Sequence, residues 1–345
     1  MKEITYSVIF ISLISFISCA TKINKADEMP LWAKSQTIST VFPNNDFIAT
    51  IGFGADKELA SLHADSELSL YFSYFIENKI SANEFLSNEG NLNIRKREIL
   101  KSVFIKNSTQ LFALRHTEYY FDKQLNQYIV CSYINRNEAK NLIEPKLTSE
   151  SIKIERLYEE SKKQKEPFLK ILLLNSILYN SNDFYNLYFF LYGIKQENAK
   201  LFSYIDNMIQ TVYLKNKKLK QNAVIFIDVH GDVSNRIKTK FCELFSKSGF
   251  VVADCKNSDT VYILDINVDA RISNTDEIFI SYPKLSAFIK RTDGIFLSSF
   301  SKQFEKISSY KKESCERMIL KRIENEVEKN FFSECLNQKN CKEML

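Results

Sequence analysis

Apolar positions recur along this chain with two different periods, and the changes of period mark out its elements. Asp46 to Gly54 reads Asp-Phe-Ile-Ala-Thr-Ile-Gly-Phe-Gly, an apolar, β-rich run closed by glycines, which predicts a strand. From about Asp56 to Lys79 the period becomes helical. Ala60, Ala64, Leu68, Phe72 and Ile76 recur every fourth residue, and Leu59, Leu62 and Phe75 widen the stripe. The small residues at its start let such a helix lie close to a sheet, and the larger ones fill a wider gap further on. Ser102–Ile105 reads as a short strand. Leu111–Phe121 and Gln127–Ile134 read as two more, joined by the polar turn Asp122–Asn126 into an antiparallel hairpin. A helix follows from about Asn135, where Asn-Arg-Asn-Glu supplies a cap.

Residues from Glu138 to about Lys220 read as helical. Phe168–Tyr179 and Phe184–Ile194 are strongly apolar, and Asn180-Ser-Asn-Asp183 between them reads as a turn and cap. This predicts a buried helical hairpin, because a large exposed apolar patch is costly. A strand pattern returns at Ala223–Asp228. The loop Val229–Asp232 then leads to a helix from Ser234 to Ser248, ended by Gly249 as a C-terminal cap, and to a strand at Phe250–Ala253. Thr260–Ile272 and Glu277–Arg291 alternate like paired strands. Thr292-Asp-Gly294 is a tight turn before a strand at Ile295–Phe300, and a long helix runs from about Ser308 to Phe332. The expected class is α+β: two helix-on-antiparallel-sheet domains joined by a helical segment. The expected boundaries are 46–145, 146–221 and 222–345.

The first 45 residues stand apart. After Met-Lys-Glu-Ile-Thr-Tyr-Ser comes an apolar run from Val8 to Ile17, then Ser18-Cys19-Ala20. That run is too short for a bilayer, which takes roughly 20 apolar residues, and fits the core of a cleaved secretory signal. A short charged start, a short apolar core and a small residue before a cysteine together resemble a bacterial lipoprotein signal, although Phe16 stands where leucine is usual; the alternatives are an ordinary signal peptide, with Cys19 a plain thiol, or an uncleaved anchor. On the lipoprotein reading residues 1–18 are removed, Cys19 becomes the lipidated N-terminus, and 19–45 form a tether. The expected partner at this end is the lipid bilayer, and Ala20 rather than aspartate after Cys19 points to the outer membrane, facing the periplasm.

Removing residues 1–18 from the 345 leaves 327, enough for two domains. Hydrophobic content is 45% and charged content 26%, which excludes disorder throughout, and 7 Gly and 5 Pro argue against long flexible linkers. The net charge of +5 is mild and no nucleic-acid motif is present, so no nucleic acid is expected as a partner. The densest basic run, Lys215-Asn-Lys-Lys-Leu-Lys220, reads as a solvated helix end or as a contact for acidic headgroups or glycan. Beyond Cys19 there are six cysteines. Cys335 and Cys341 are near enough in sequence to close a small disulfide loop, whereas Cys131, in a strand pattern, is expected to be a buried free thiol.

No Walker loop, GxSxG, HExxH, GxGxxG or zinc spacing occurs. No catalytic residue, metal site or cofactor is therefore expected, and the chain is expected not to be an enzyme. One polar cluster, Asp228, His230 and Asp232, follows a strand end, where α/β proteins place ligand groups. It reads either as a metal or acid/base site or as a polar turn capping the next helix. His63 is expected at the edge of its helix's apolar stripe, and His116 on a solvated strand face.

Pro30-Leu-Trp32, the glycine-ended strand Phe47–Gly54, the Ala60-x-x-x-Ala64 helix and Tyr128–Ile134 before Asn135–Lys140 occur in an order that resembles the Lpp-twenty lipoprotein family and the N-terminal domain of flagellar assembly protein T. The resemblance covers roughly residues 30–145. It implies a helix on an antiparallel sheet in a periplasm-facing envelope lipoprotein, and it carries no catalytic residues. The part from about Ala223 resembles domains of the TolB N-terminal or CsgG type. The expected function is a non-catalytic structural or adaptor lipoprotein of the cell envelope, binding protein partners or peptidoglycan, with oligomers open to it. The alternatives are a component of a flagellar or secretion-associated assembly, or an envelope hydrolase using Asp228, His230 and Asp232.

Overall fold

A computed structural model describes residues 28–86, 111–232, 234–275 and 277–336. Cys19 and the signal before it, the Ser102–Ile105 strand and Cys341 lie outside them, as does the side chain of Cys335. The chain divides into two compact units, 28–71 with 111–138 and 72–86 with 139–336 in the described residues.

In the first unit a 3-10 turn (Leu31–Ala33) and a single helical turn, α1 (Ile38–Val41), precede β1 (Phe47–Gly54). The long helix α2 (Lys57–Leu86), which belongs to this unit as far as Tyr71, follows, its start capped by Asp56, whose Oδ1 accepts from the Leu59 N–H at 2.8 Å. Strands β2 (Leu114–His116) and β3 (Tyr120–Asp122) both pair antiparallel with β4 (Gln127–Asn135), which pairs antiparallel with β1 on its other side. The predicted strand Leu111–Phe121 is thus split. The pairing slips by one residue between His116↔Ser132 and Tyr120↔Ile129, a bulge spanned by Thr117. Thr117 N–H donates to the Cys131 carbonyl, and Cys131 N–H donates to Thr117 Oγ1, both at 3.0 Å. The side chain therefore satisfies a backbone donor that the slip would orphan.

The first half of α2 lies on this sheet with Ala60, Ala64 and Leu68 fully buried, as the spacing of small residues predicts. Glycine on the strand completes the fit. A Cβ on Gly52 would sit 2.2 Å from the Ala60 carbonyl oxygen and 2.6 Å from Ala64 Cβ. Cys131 is fully buried as a free thiol, and burial pushes its pKa up to about 12.

The second unit contains α3 (Arg136–Lys163, from Ala139 on), α4 (Pro167–Ile194), α5 (Gln196–Lys200) and α6 (Ser203–Asn222), followed by two sheets. Helix α4 is one continuous helix, not the predicted hairpin. Asn180 Nδ2 donates to the Ser176 carbonyl at 2.8 Å and Ser181 Oγ to the Leu178 carbonyl at 2.7 Å, so the supposed turn residues are satisfied inside the helix. The burial expected of both apolar runs is real: residues from Phe168 to Ile194 on every face of α4 are buried, including Phe184, Tyr185 and Phe189. Pro167 at the first turn and the Glu166 carboxylate, accepting from Phe168 N–H at 3.2 Å, start the helix.

The larger sheet is built from β5 (Val224–His230), β6 (Val251–Ala253), β7 (Tyr262–Asp269), β10 (Lys284–Arg291) and β11 (Phe296–Gln303), in the order β11-β10-β7-β5-β6. The short strands β8 (Ile272–Thr275), β9 (Ile278–Ser281) and β12 (Ile307–Ser309) form a separate antiparallel sheet. The α+β class holds. Within the larger sheet, however, β5 runs parallel to both β6 and β7, because α7 (Arg236–Lys247) carries the chain back between β5 and β6. One face of the sheet is packed by α7, by α8 (Lys312–Glu326), by the π-helical stretch Val327–Leu336 and by Phe168 of α4. Ile225, Ile227, Leu264, Ile266, Phe241, Phe245, Ile319 and Phe331 form the core there. The last helix begins at Lys312 rather than Ser308, since Ser308 is spent pairing with Ile280. Among the described residues no helix is long and apolar enough to cross a membrane.

Candidate functional site

Strand alternation sorts the predicted cluster. In β5, Ile225 and Ile227 point into the core, so Asp228 and His230, two residues apart, fall together on the opposite face. Gly231, at φ +83°, ends the strand and turns the chain, with its α-carbon pressed against β7: a Cβ there would lie 2.1 Å from the Val268 carbonyl oxygen. Asp232 is thereby carried off the face. Its Oδ2 accepts from Lys238 N–H at 2.9 Å and its Oδ1 from Ser234 Oγ at 3.2 Å, so it closes the loop into α7. The helix-capping reading therefore applies to Asp232, while Asp228 and His230 remain together.

Two residues that the sequence reading missed join them. Asp265 of β7 stands opposite Asp228 in the parallel register, and Lys290 of β10 reaches it from the next strand. His230 Nε2 lies 3.6 Å from Asp228 Oδ2 and 3.7 Å from Asp265 Oδ1, and Lys290 Nζ donates to Asp265 Oδ2 at 2.8 Å. The signal for Asp265 was present in the sequence. It is the one carboxylate inside the apolar run Tyr262–Val268, at an alternating position whose neighbours Leu264 and Ile266 are core.

The result is a row of ionisable groups across three strands. The His230 side chain is 62% exposed and Asp228 48%. Ion pairs so open to water are worth about 0–1 kcal/mol each. None of the four residues lines either of the two cavities described below. Among the described residues no group of three or more His, Cys, Asp or Glu is placed to hold a metal ion.

The other two histidines belong to the first unit. His63 Nδ1 accepts from Phe53 N–H at 3.1 Å, at the margin of the α2 stripe as expected. His116 is more engaged than a solvated face implies: its Nε2 lies 2.8 Å from Asp65 Oδ1, the same oxygen that accepts from Ser132 Oγ at 2.6 Å. A serine, a histidine and an aspartate are thus close together. Nucleophilic activation requires the serine to hydrogen-bond the imidazole. Here the aspartate sits between them and Ser132 is fully buried, so the trio ties α2 to β4.

Of the two cavities, one of about 300 Å³ is largely apolar, between Gly231, Val268 and Ile272 on one side and Ile319 and Leu320 of α8 on the other. The second, about 400 Å³, lies between α4, α6 and the end of α7 and is markedly polar.

No protein-family model matches the chain, and no curated protein sequence matches it. Similar solved structures include a minor lipoprotein from Acinetobacter baumannii, at 7% identity and a TM-score of 0.24, over 31% of this chain and 87% of that one. Another is the secreted protein HP1454 from Helicobacter pylori, at 12% identity and a TM-score of 0.36, over 84% of this chain and 98% of that one. These low scores leave the functional reading to the chain's own residues, and the Lpp-twenty resemblance of residues 30–145 to its packing pattern.

Proposed function

We propose that this chain is a bacterial cell-envelope lipoprotein, anchored through acyl chains on Cys19 at the periplasmic face of the outer membrane. It acts without catalysis, as a structural or adaptor component that binds protein partners or cell wall. The observation that carries this reading is the N-terminal pattern: a short charged start, an apolar run from Val8 to Ile17, and Ser18-Cys19-Ala20. Each buried methylene of an acyl chain adds about 0.8 kcal/mol of membrane affinity, so a multiply acylated cysteine anchors essentially permanently.

The folded part suits binding. The uncovered face of the larger sheet presents the row of Asp228, His230, Asp265 and Lys290, with Phe288 and Phe296 exposed beside it. The hydrolase alternative loses support because Asp232 is committed to the start of α7. Detergent phase partitioning with intact-mass analysis of the native protein, beside a Cys19→Ala form, tests the anchor. Alanine at His230 tests the absence of catalysis: an envelope extract in which the wild type releases a product and the variant does not would restore the hydrolase.

A further inference from the structure

The polar cavity has the chemistry of an anion site. Asn175, Tyr179 and Asn182 of α4 follow one another at helical spacing and share one face. Tyr213, Asn216, Lys217 and Lys220 do the same on α6, and Lys247 closes the cavity from the end of α7. Three lysines line about 400 Å³ of space without an aspartate, glutamate, histidine or arginine in the lining. Lysines at helix ends offset the dipole of the last turn, which accounts for their positions. It does not account for the concavity or for the asparagines.

Asn216 is the second, independent sign. It is 2% exposed and lines the cavity. Its Nδ2 donates to Asn175 Oδ1 at 2.9 Å, while its own Oδ1 is buried without a hydrogen-bond partner. Leaving such an acceptor unpaired costs about 1–3 kcal/mol, and it does so in the wall of this cavity. Lys247 lies 4.0 Å from Glu243 on its own helix and its charge also acts on the Glu328 carboxylate, and Lys220 lies 5.4 Å from the centre of the Phe250 ring.

We propose that this cavity binds a phosphorylated sugar or polyol. Lysine ammonium groups act as point charges suited to a phosphate, whereas planar carboxylate recognition favours the arginine fork, which is missing from the lining. The asparagine amides and tyrosines suit hydroxyl groups on the attached polyol. The volume lies in the range of small-ligand sites. The basic run Lys215–Lys220 thus supplies two of the three charges. The source is either a soluble sugar phosphate or a phospholipid headgroup, and the proposal stands independently of the anchor at Cys19.

The test uses the full chain carrying Cys19→Ala, so that acyl chains do not themselves hold it on vesicles. Glucose 6-phosphate and glucose are titrated by calorimetry, and flotation compares phosphatidylglycerol with phosphatidylcholine vesicles. The exposed residues Lys217 and Lys247 are reversed together, as Lys217→Glu with Lys247→Glu, and circular dichroism confirms folding; Lys302→Glu on the remote strand β11 is the control. Binding of glucose 6-phosphate but not glucose, weakened at least tenfold by the double reversal and unchanged in the control, supports the site with a soluble ligand. Flotation on phosphatidylglycerol alone, with the same loss, supports it with a lipid headgroup. Absence of binding in both arms, equal binding of glucose, or undiminished binding by the double variant overturns it.

Discussion

Replacing Gly52 by alanine tests the close approach of helix and sheet that organises the first unit. The added Cβ would sit 2.2 Å from the Ala60 oxygen, 2.3 Å from the Ala64 nitrogen and 2.6 Å from Ala64 Cβ, where ordinary contact begins at 3.4 Å. Two of these neighbours are backbone, so no side chain can swing aside. The helix must retreat by up to about 1.2 Å, the shortfall between 3.4 and 2.2 Å. A retreat of even about 0.5–1 Å forfeits roughly a quarter to a half of each packing contact. It also strains the bonds that cross the same interface: Thr50 Oγ1 to the Ala64 carbonyl at 2.8 Å, and Ser132 Oγ to Asp65 at 2.6 Å. Overpacking typically costs about 1–3 kcal/mol and each weakened hydrogen bond about 1, so the expected loss is about 2–5 kcal/mol. Trp32, the chain's single tryptophan, lies in the first unit and makes its fluorescence in urea a local reporter. Gly294→Ala is the control. At φ +92° with nothing within 4 Å of its Cβ, it costs only about 1–2 kcal/mol of backbone strain, in the other unit. A Gly52→Ala protein whose Trp32 transition moves by less than about 0.5 kcal/mol would refute the packing argument.

Further outcomes follow from buried polar groups. Asp65→Ala leaves the buried Ser132 hydroxyl without its acceptor and should cost about 1–3 kcal/mol in the same urea assay, with Asp65→Asn recovering part of it. Glu166 accepts from Tyr262 Oη at 2.8 Å, from Arg291 at 3.2 Å and from the first turn of α4; Glu166→Ala should lower second-unit stability by about 2–4 kcal/mol by calorimetry. Because burial pushes the Cys131 thiol up to about 12 in the folded protein against 9.0 for a free thiol, the unfolded chain releases its proton first as pH rises. First-unit stability should therefore fall from about pH 9 towards 12, by up to about 1.4 kcal/mol per pH unit, and Cys131→Ala should flatten that slope. In native protein at pH 8 the exposed Cys255 should react with a thiol reagent well before Cys131, which should react only on unfolding; equal rates would contradict the burial of Cys131.

Much of the architecture was legible because it rests on local pattern. The small residues Ala60 and Ala64 announced a close helix–sheet contact, which Gly52 on the strand completes, and Gly249 marked the end of α7. What was not legible depended on where polar side chains find partners. Asn180 and Ser181 look like turn residues in sequence, yet they bond back along α4 and leave it continuous. Asp232 looked like part of a site with Asp228 and His230 until the turn at Gly231 directed it to α7, while Asp265 and Lys290 came from strands paired only in the tertiary fold. The polar cavity was hidden for the same reason. Asn175 and Tyr179 fall inside a run read as apolar and Asn182 inside a supposed turn, and their meaning comes from the lysine-bearing face of α6 packed against them.

The central claim is the anchor, and the most direct test is the intact mass of the native protein recovered from the detergent phase. The account predicts a mature chain of residues 19–345 carrying acyl chains, with the Cys19→Ala form shifted to the aqueous phase and unlipidated. A native product without acyl mass that partitions into the aqueous phase exactly as Cys19→Ala does would contradict it.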